Sequence, residues 1–200
     1  MDIIVVSFFS YLSGSIPFGL ILTKIFGGQD IRKIGSGNIG ATNVLRTGNK
    51  FLAAITLLFD VIKGYLPVII TKQYFPELIH LSCLLAFLGH IFPIWIKFKG
   101  GKGVATYLGI LFALSYGLGF LFTFTWLAVS LIFKYSSLSS MFASLTVFVV
   151  TLIKNTALKS INPNLVNTTN TSLILFIFFI LIIFTHKKNI SNLKNKTESK

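Results

Sequence analysis

Apolar runs long enough to cross a bilayer, separated by short polar segments, constrain this chain more than any other feature. Crossing the hydrocarbon core as a helix takes roughly 20 apolar residues. Residues 3–26, 51–72 and 78–96 meet that length, and residues 104–134 exceed it. Tyr116-Gly117-Leu118-Gly119 offers a break there, which splits the run into 104–116 and 119–134. Residues 138–155 and 171–186 bring the count to about seven transmembrane helices. The shorter ones fit if they pack inside the protein rather than face lipid. The expected fold class is therefore all-α, a polytopic integral membrane protein, with residues 1–200 forming a single domain and no repeat or linker. Residues 3–26 lack a basic start and a small-residue cleavage site, so they are expected to be a retained helix rather than a signal peptide.

Only 12% of the residues are charged, and the net charge is +13, against about 25% charged in a soluble chain. In a soluble protein such a balance would suggest nucleic acid. Beside these apolar runs it is a topology signal, and no nucleic acid partner is expected. With the N-terminus outside and the C-terminus cytoplasmic, 14 Lys and Arg fall in the inner segments and only Lys72, Lys154 and Lys159 in the outer ones. Residues 160–170 then form a polar outer loop, with Asn164 outside, and residues 187–200 a basic cytoplasmic extension. The single cysteine, Cys83, lies in an apolar run and implies neither a disulfide framework nor a metal site.

Three glycine- and cation-rich patches lie between the runs, all on the side assigned to the cytoplasm. The first is the loop 27–50, which has six glycines in 24 residues, so its backbone can approach a ligand closely. Ser36, Asn38, Thr42 and Asn43 supply neutral hydrogen-bonding groups there. Both arginines of the chain, Arg32 and Arg46, also fall in it, and Arg46 can grip an anion with two parallel bonds. A solvated, positive-inside loop is the plainer alternative. Gly35-Ser36-Gly37-Asn38-Ile39-Gly40 fits GxGxxG, but neither a preceding strand nor a suitably placed acid accompanies it, which excludes a dinucleotide site.

The second patch is Lys99-Gly100-Gly101-Lys102-Gly103, placed where a helix is expected to begin. Free N–H groups and the positive end of a helix favour a phosphate there. A basic turn between spans is the alternative. It is not a Walker A loop, because Ile96 stands where the first glycine would be and Gly103 follows Lys102. Nearby His90 reads either as structural or as binding or proton-handling. Asp60 and Lys63, three apart within a run, share a helix face and can pair. They suit a structural ion pair or a substrate contact equally. Ser136 and Ser137 stand at a helix junction, where capping is a fair explanation. The third patch is His186-Lys187-Lys188-Asn189-Ile190. Together the patches suit phosphate, which small residues and cations hold against backbone N–H groups.

The chain resembles the bacterial acyl-phosphate:glycerol-3-phosphate acyltransferase family over nearly its whole length. The resemblance rests on Ser13-Gly14-Ser15-Ile16-Pro17-Phe18-Gly19, the Gly35-to-Arg46 run, Asp60-Val61-Ile62-Lys63-Gly64, the Gly89-to-Thr106 run, Tyr135-Ser136-Ser137-Leu138 and the third patch. It implies a seven-helix bacterial inner-membrane protein, active on the cytoplasmic face, that moves a fatty acyl group from acyl phosphate to glycerol 3-phosphate. The products would be lysophosphatidic acid, the first intermediate of phospholipid synthesis, and inorganic phosphate.

By resemblance, Ser36, Arg46, His186 and Asn189 are the catalytic candidates and Glu198 is structural. The glycines around Lys102 correspond to the family's phosphate loop. Asn38, Thr42, Asn43, Lys99, Gly100, Gly101, Lys102, Gly103, Ser136 and Ser137 are candidates for substrate phosphate binding, with His90, Asp60 and Lys63 as further possibilities. This chain departs from the family pattern at Thr185 and Asn192, where the family tends to have Arg, and at Lys196, where it tends to have Gly. None of the three histidines is followed by an acid in the H-x-x-x-x-D pattern of acyltransferases that use thioester donors.

No cofactor or metal is expected, and a monomer is. The expected partners are membrane lipid, the two small substrates and an enzyme that makes acyl phosphate. A small-molecule transporter is the rival reading, but a transport path needs polar groups at the midplane rather than at one face. A lipid-binding scaffold would account for residues 187–200 alone.

Overall fold

In a computed structural model, which describes residues 1–161 and 169–198, all regular structure among the described residues is helical. The helices are α1 (Asp2–Ser15), α2 (Phe18–Gly27), α3 (Ala41–Leu45), α4 (Lys50–Tyr74), α5 (Ile79–Ile91), α6 (Val104–Leu114), α7 (Tyr116–Phe133), α8 (Ser136–Ile161), α9 (Thr169–Thr185) and α10 (Lys187–Lys194). Every run read from the sequence holds a helix. By length and composition, five stretches among the described residues can cross a membrane: Asp2–Gly27, Lys50–Tyr74, Pro76–Ile96, Tyr116–Phe133 and Ser136–Ile161. A sixth arises if Thr171–Thr185 and Lys187–Lys194, bent by 59°, form one span. The expected outer loop 160–170, with Asn164, lies mostly outside the described residues.

Two expectations about boundaries change. The run 3–26 is two helices, because Ile16 before Pro17 turns extended (φ −63°, ψ 118°), as a residue crowded by a following proline ring does. The break in the run 104–134 falls on Ser115 alone (φ −163°, ψ 132°), and Gly117 and Gly119 lie inside α7. At 11 residues, α6 extends about 16 Å, roughly half the hydrocarbon thickness. It is buried instead, with Thr106, Tyr107, Gly109, Ile110, Leu111 and Ala113 inside.

The chain divides into two compact units, Met1–Ser115 and Tyr116–Lys200. In the first, α4 packs on α6 and α1 on α5. Glycines set these distances. A methyl on Gly64 would strike the Thr106 carbonyl, one on Gly109 the Val61 carbonyl, and one on Gly14 the Ala86 carbonyl. Small residues at such crossings let helix backbones approach where no hydrophobic effect drives them together.

Polar backbone groups freed by prolines are answered across the α1–α4 contact. Pro67, inside α4, has no N–H for the carbonyl of Lys63, and Ser13 Oγ donates to that carbonyl instead (3.3 Å). Lys63 Nζ in turn donates to the carbonyl of Ile16 at the α1–α2 break (2.7 Å). Lys72 Nζ donates to the carbonyls of Ala113 and Leu114, closing the C-terminal end of α6. In the second unit α8 packs on both α7 and α9, and Trp126 Nε1 donates to Ser140 Oγ (3.1 Å).

Candidate active site

The first patch folds around Asn43. Its side chain is buried and its amide Nδ2 donates to the carbonyls of Ile31 (2.8 Å), Ile34 (3.0 Å) and Asn38 (2.7 Å). Its Oδ1 accepts from the Ser36 N–H (3.1 Å) and Ser36 Oγ (3.3 Å). The residue that the sequence assigned to substrate phosphate therefore spends its polar atoms shaping the loop. Gly35 takes φ +52° beneath the Arg46 side chain, where an added methyl would come within 2.8 Å of Arg46 Cδ and 3.1 Å of Nη1. Ser36 and Arg46 are both exposed. Thr42 is also exposed, on α3. Arg32 is engaged locally: its side chain and its N–H all bond the Asp30 carboxylate. That embrace holds the Asp30 pKa well below the usual carboxylate range.

The second patch meets the first at Asn38 and Gly101. A methyl on Gly101 would strike His90 Nε2 and come within 3.2 Å of Asn38 Oδ1. The N–H groups of Gly100 and Gly101 donate to the carbonyls of Ile91 (3.0 Å) and His90 (3.1 Å) at the end of α5. This corrects the sequence reading in one respect, because those two N–H groups are committed to the fold. Lys102 stands just before α6, whose first-turn N–H groups have no partner within the helix. Gly103, at φ +81° with Phe87 against its Cα, sets up that turn. Lys102 is half-buried and Lys99 exposed.

Beneath both patches is a buried polar group. His90 Nδ1 lies 3.0 Å from Thr106 Oγ1 and 3.9 Å from Asp60 Oδ1. Asp60 and Lys63 pair at 2.7 Å with both side chains 2% exposed. Lys63 also donates to the Ile16 carbonyl, and His90 lies against Gly101. Sequence reading gave Thr106 no role, since no local pattern reveals a partner 16 residues away.

In the second unit, Ser137 Oγ donates to Glu198 Oε1 (3.1 Å), and the Asn189 amide donates to the same oxygen. Ser136 opens α8 next to it and its carbonyl accepts from Ser140 Oγ. His186 is buried between α9 and α10, and its Nδ1 donates to the Ile182 carbonyl (2.8 Å). In the neutral ring this fixes Nε2 as the acceptor. The turn that returns Glu198 to Asn189 is a helix C-cap: Thr197 N–H donates to the Asn192 carbonyl (2.8 Å) and Lys196 takes φ +58°.

The glycerol-3-phosphate acyltransferase family profile matches residues 4–196. A glycerol-3-phosphate acyltransferase of Pelagibacter ubique (strain HTCC1062) is 52% identical over 200 residues, covering 100% of this chain and 98% of that protein. Another, from Mesorhizobium japonicum, is 50% identical over 193 residues, covering 96% and 92%. Among solved structures, PlsY (YgiH), an integral membrane glycerol 3-phosphate acyltransferase, is similar in two forms. Its glycerol 3-phosphate form superposes with a TM-score of 0.90 at 32% identity, covering 100% of this chain and 96% of that one. Its lysophosphatidic acid form gives 0.87 at 31%, covering 100% and 95%.

Proposed function

The chain belongs to the glycerol-3-phosphate acyltransferase family, and on that premise we propose that it acylates glycerol 3-phosphate with acyl phosphate as the donor. The products are 1-acyl-glycerol 3-phosphate and inorganic phosphate. The observation that carries this reading is the meeting of two anion-suited elements at Asn38 and Gly101. One presents Ser36 and Arg46; the other presents Lys102 and the first turn of α6.

The chemistry needs little more than placement and charge. The 1-hydroxyl of glycerol 3-phosphate attacks the acyl carbonyl, an ester C–O bond forms, and the mixed-anhydride C–O bond breaks. Inorganic phosphate leaves with that electron pair, and the hydroxyl proton passes to a phosphate oxygen of a substrate. Phosphate is a good leaving group, so the absence of a His-acid base is no obstacle. The protein supplies alignment and neutralisation of two phosphates. Arg46 and Lys102 hold charge, Ser36 donates a hydrogen bond, and Asn43 fixes the loop that carries Ser36. His186 and Asn189 act in the same reaction as substrate contacts, with Glu198 anchoring Asn189. Thr42, Lys99, Ser136 and Ser137 assist phosphate binding, and Asn38 and the Gly100–Gly103 run shape its seat.

We place all of this on the cytoplasmic face of the bacterial inner membrane, in a monomer with about seven transmembrane helices, supplied by an enzyme that makes acyl phosphate. The buried ion pair Asp60–Lys63, whose Lys63 also bonds the Ile16 carbonyl, supports an enzyme over a transporter. The test is purified protein assayed with glycerol 3-phosphate and, in turn, acyl phosphate, acyl-CoA and acyl carrier protein. Acyl phosphate alone is expected to support turnover. Efficient turnover with acyl-CoA and none with acyl phosphate would overturn the donor assignment.

A further inference from the structure

The first unit also holds a cavity of about 440 Å³ lined by Leu20, Lys24, Trp95, Ile96 and Lys97, together with Arg32 of the first patch and Lys99 of the second. Four cations face one space. Asp30 is the acid bound to one of them, through Arg32, so Lys24, Lys97 and Lys99 carry its net charge. Lys97 and Phe98 both take positive φ (55° and 59°), a conformation costly for residues with a Cβ. The chain accepts it in the turn that holds two of the four cations.

The walls are as informative as the charges. Trp95 is 60% exposed, yet its ring is held in place because Nε1 donates to Ser15 Oγ (2.8 Å). An oriented, half-wet indole is what a membrane–water interface selects. The flanking apolar side chains Ile25, Phe26, Ile94 and Phe98 are also exposed. A cation cluster rimmed by exposed apolar groups matches an amphiphile, an anionic phosphate carried on acyl chains. The volume agrees, because it lies in the range of pockets for drug-sized ligands, and a bare phosphate would leave most of it unfilled.

We propose that this cavity binds the headgroup phosphate of an anionic membrane phospholipid, beside Trp95 and between Lys24 and Lys97, two cations that belong to neither patch. Its floor is shared with the first patch. Leu20 belongs to the buried cluster with Ile31, Ile39 and Val44, and Ile96 packs against that cluster. A bound lipid would therefore steady the loop that carries Ser36. The proposal does not depend on the acyl donor, and its readout is binding rather than turnover, so the two readings fail separately.

The test uses the full chain in detergent with Trp126→Phe, which leaves Trp95 as the fluorophore. Brominated phosphatidylglycerol is titrated against brominated phosphatidylcholine. Saturable quenching is expected at a roughly tenfold lower mole fraction of the anionic lipid. Lys24→Gln with Lys97→Gln should abolish that difference, whereas Lys24→Arg with Lys97→Arg should keep it. Equal quenching by the two lipids, a preference that survives the glutamine pair, or one lost with the arginine pair, would overturn the proposal. Displacement of the brominated lipid by millimolar inorganic phosphate would instead assign the cavity to a free anion. Displacement by a non-hydrolysable acyl phosphonate in preference to phosphatidylglycerol would assign it to the donor. Either result would also overturn the proposal.

Discussion

Arg46 and Lys196 show how much a single side chain decides. Arg46 lies over Gly35 beside Ser36, where a planar fork can hold two phosphate oxygens and an ammonium can hold one. Losing a charge-assisted bond costs on the order of 1.5–3 kcal/mol. Arg46→Lys should therefore lose roughly tenfold or more in kcat/KM for glycerol 3-phosphate, and Arg46→Ala no less. Steady-state kinetics on the purified variants measures both, and near-normal Arg46→Lys would reduce Arg46 to a topology charge. Lys196 stands where the resembling family tends to have glycine, and it keeps a glycine's conformation, φ +58°. A left-handed residue with a Cβ costs about 1–2 kcal/mol. The greater freedom of glycine in the unfolded chain offsets about half of that. Lys196→Gly should thus slow hydrogen exchange in α10 several-fold, with the Glu198 contacts intact. Faster exchange would mean that the lysine side chain itself holds the tail.

At the scale of the helix, prolines create the polar contacts that join α1 to α4. Ser13 answers the Lys63 carbonyl only because Pro67 cannot. Ser13→Ala should lower stability by about 1 kcal/mol, read as thermal unfolding in detergent. Pro67→Ala restores an N–H to that carbonyl, so Ser13→Ala should cost much less in its background. Equal costs in both backgrounds would show that the two residues are uncoupled.

For the molecule as a whole, the 14-to-3 distribution of cations predicts the orientation. Single cysteines at positions 36, 102 and 188, each with Cys83→Ser, should resist an impermeant thiol reagent in intact cells and react after permeabilisation. Labelling of position 102 in intact cells would invert the topology. The cation count bears on this because it reflects insertion, a process governed by charge near the ends of apolar runs rather than by packing.

The sequence by itself determined that the chain is helical and where its apolar runs lie, since hydrophobic length is a local property, whereas the breaks at Ile16 and Ser115 appeared only in the structure. The sequence also located the three patches, because glycine and cation content is readable residue by residue. Tertiary structure decided what those residues touch. Asn43 looks like a ligand group in sequence and is a loop hub in space, because its partners at Ile31, Ile34 and Asn38 appear only once the loop closes. Gly100 and Gly101 look like anion donors and are bonded to the end of α5. His90 has two possible roles in sequence, and its contacts with Gly101 and Thr106 appear only in the folded chain. Trp95 and Ser15, 80 residues apart, leave no local signal of their pairing. Hydrogen bonds and close backbone approaches depend on distances between remote segments, and only the folded chain sets those distances.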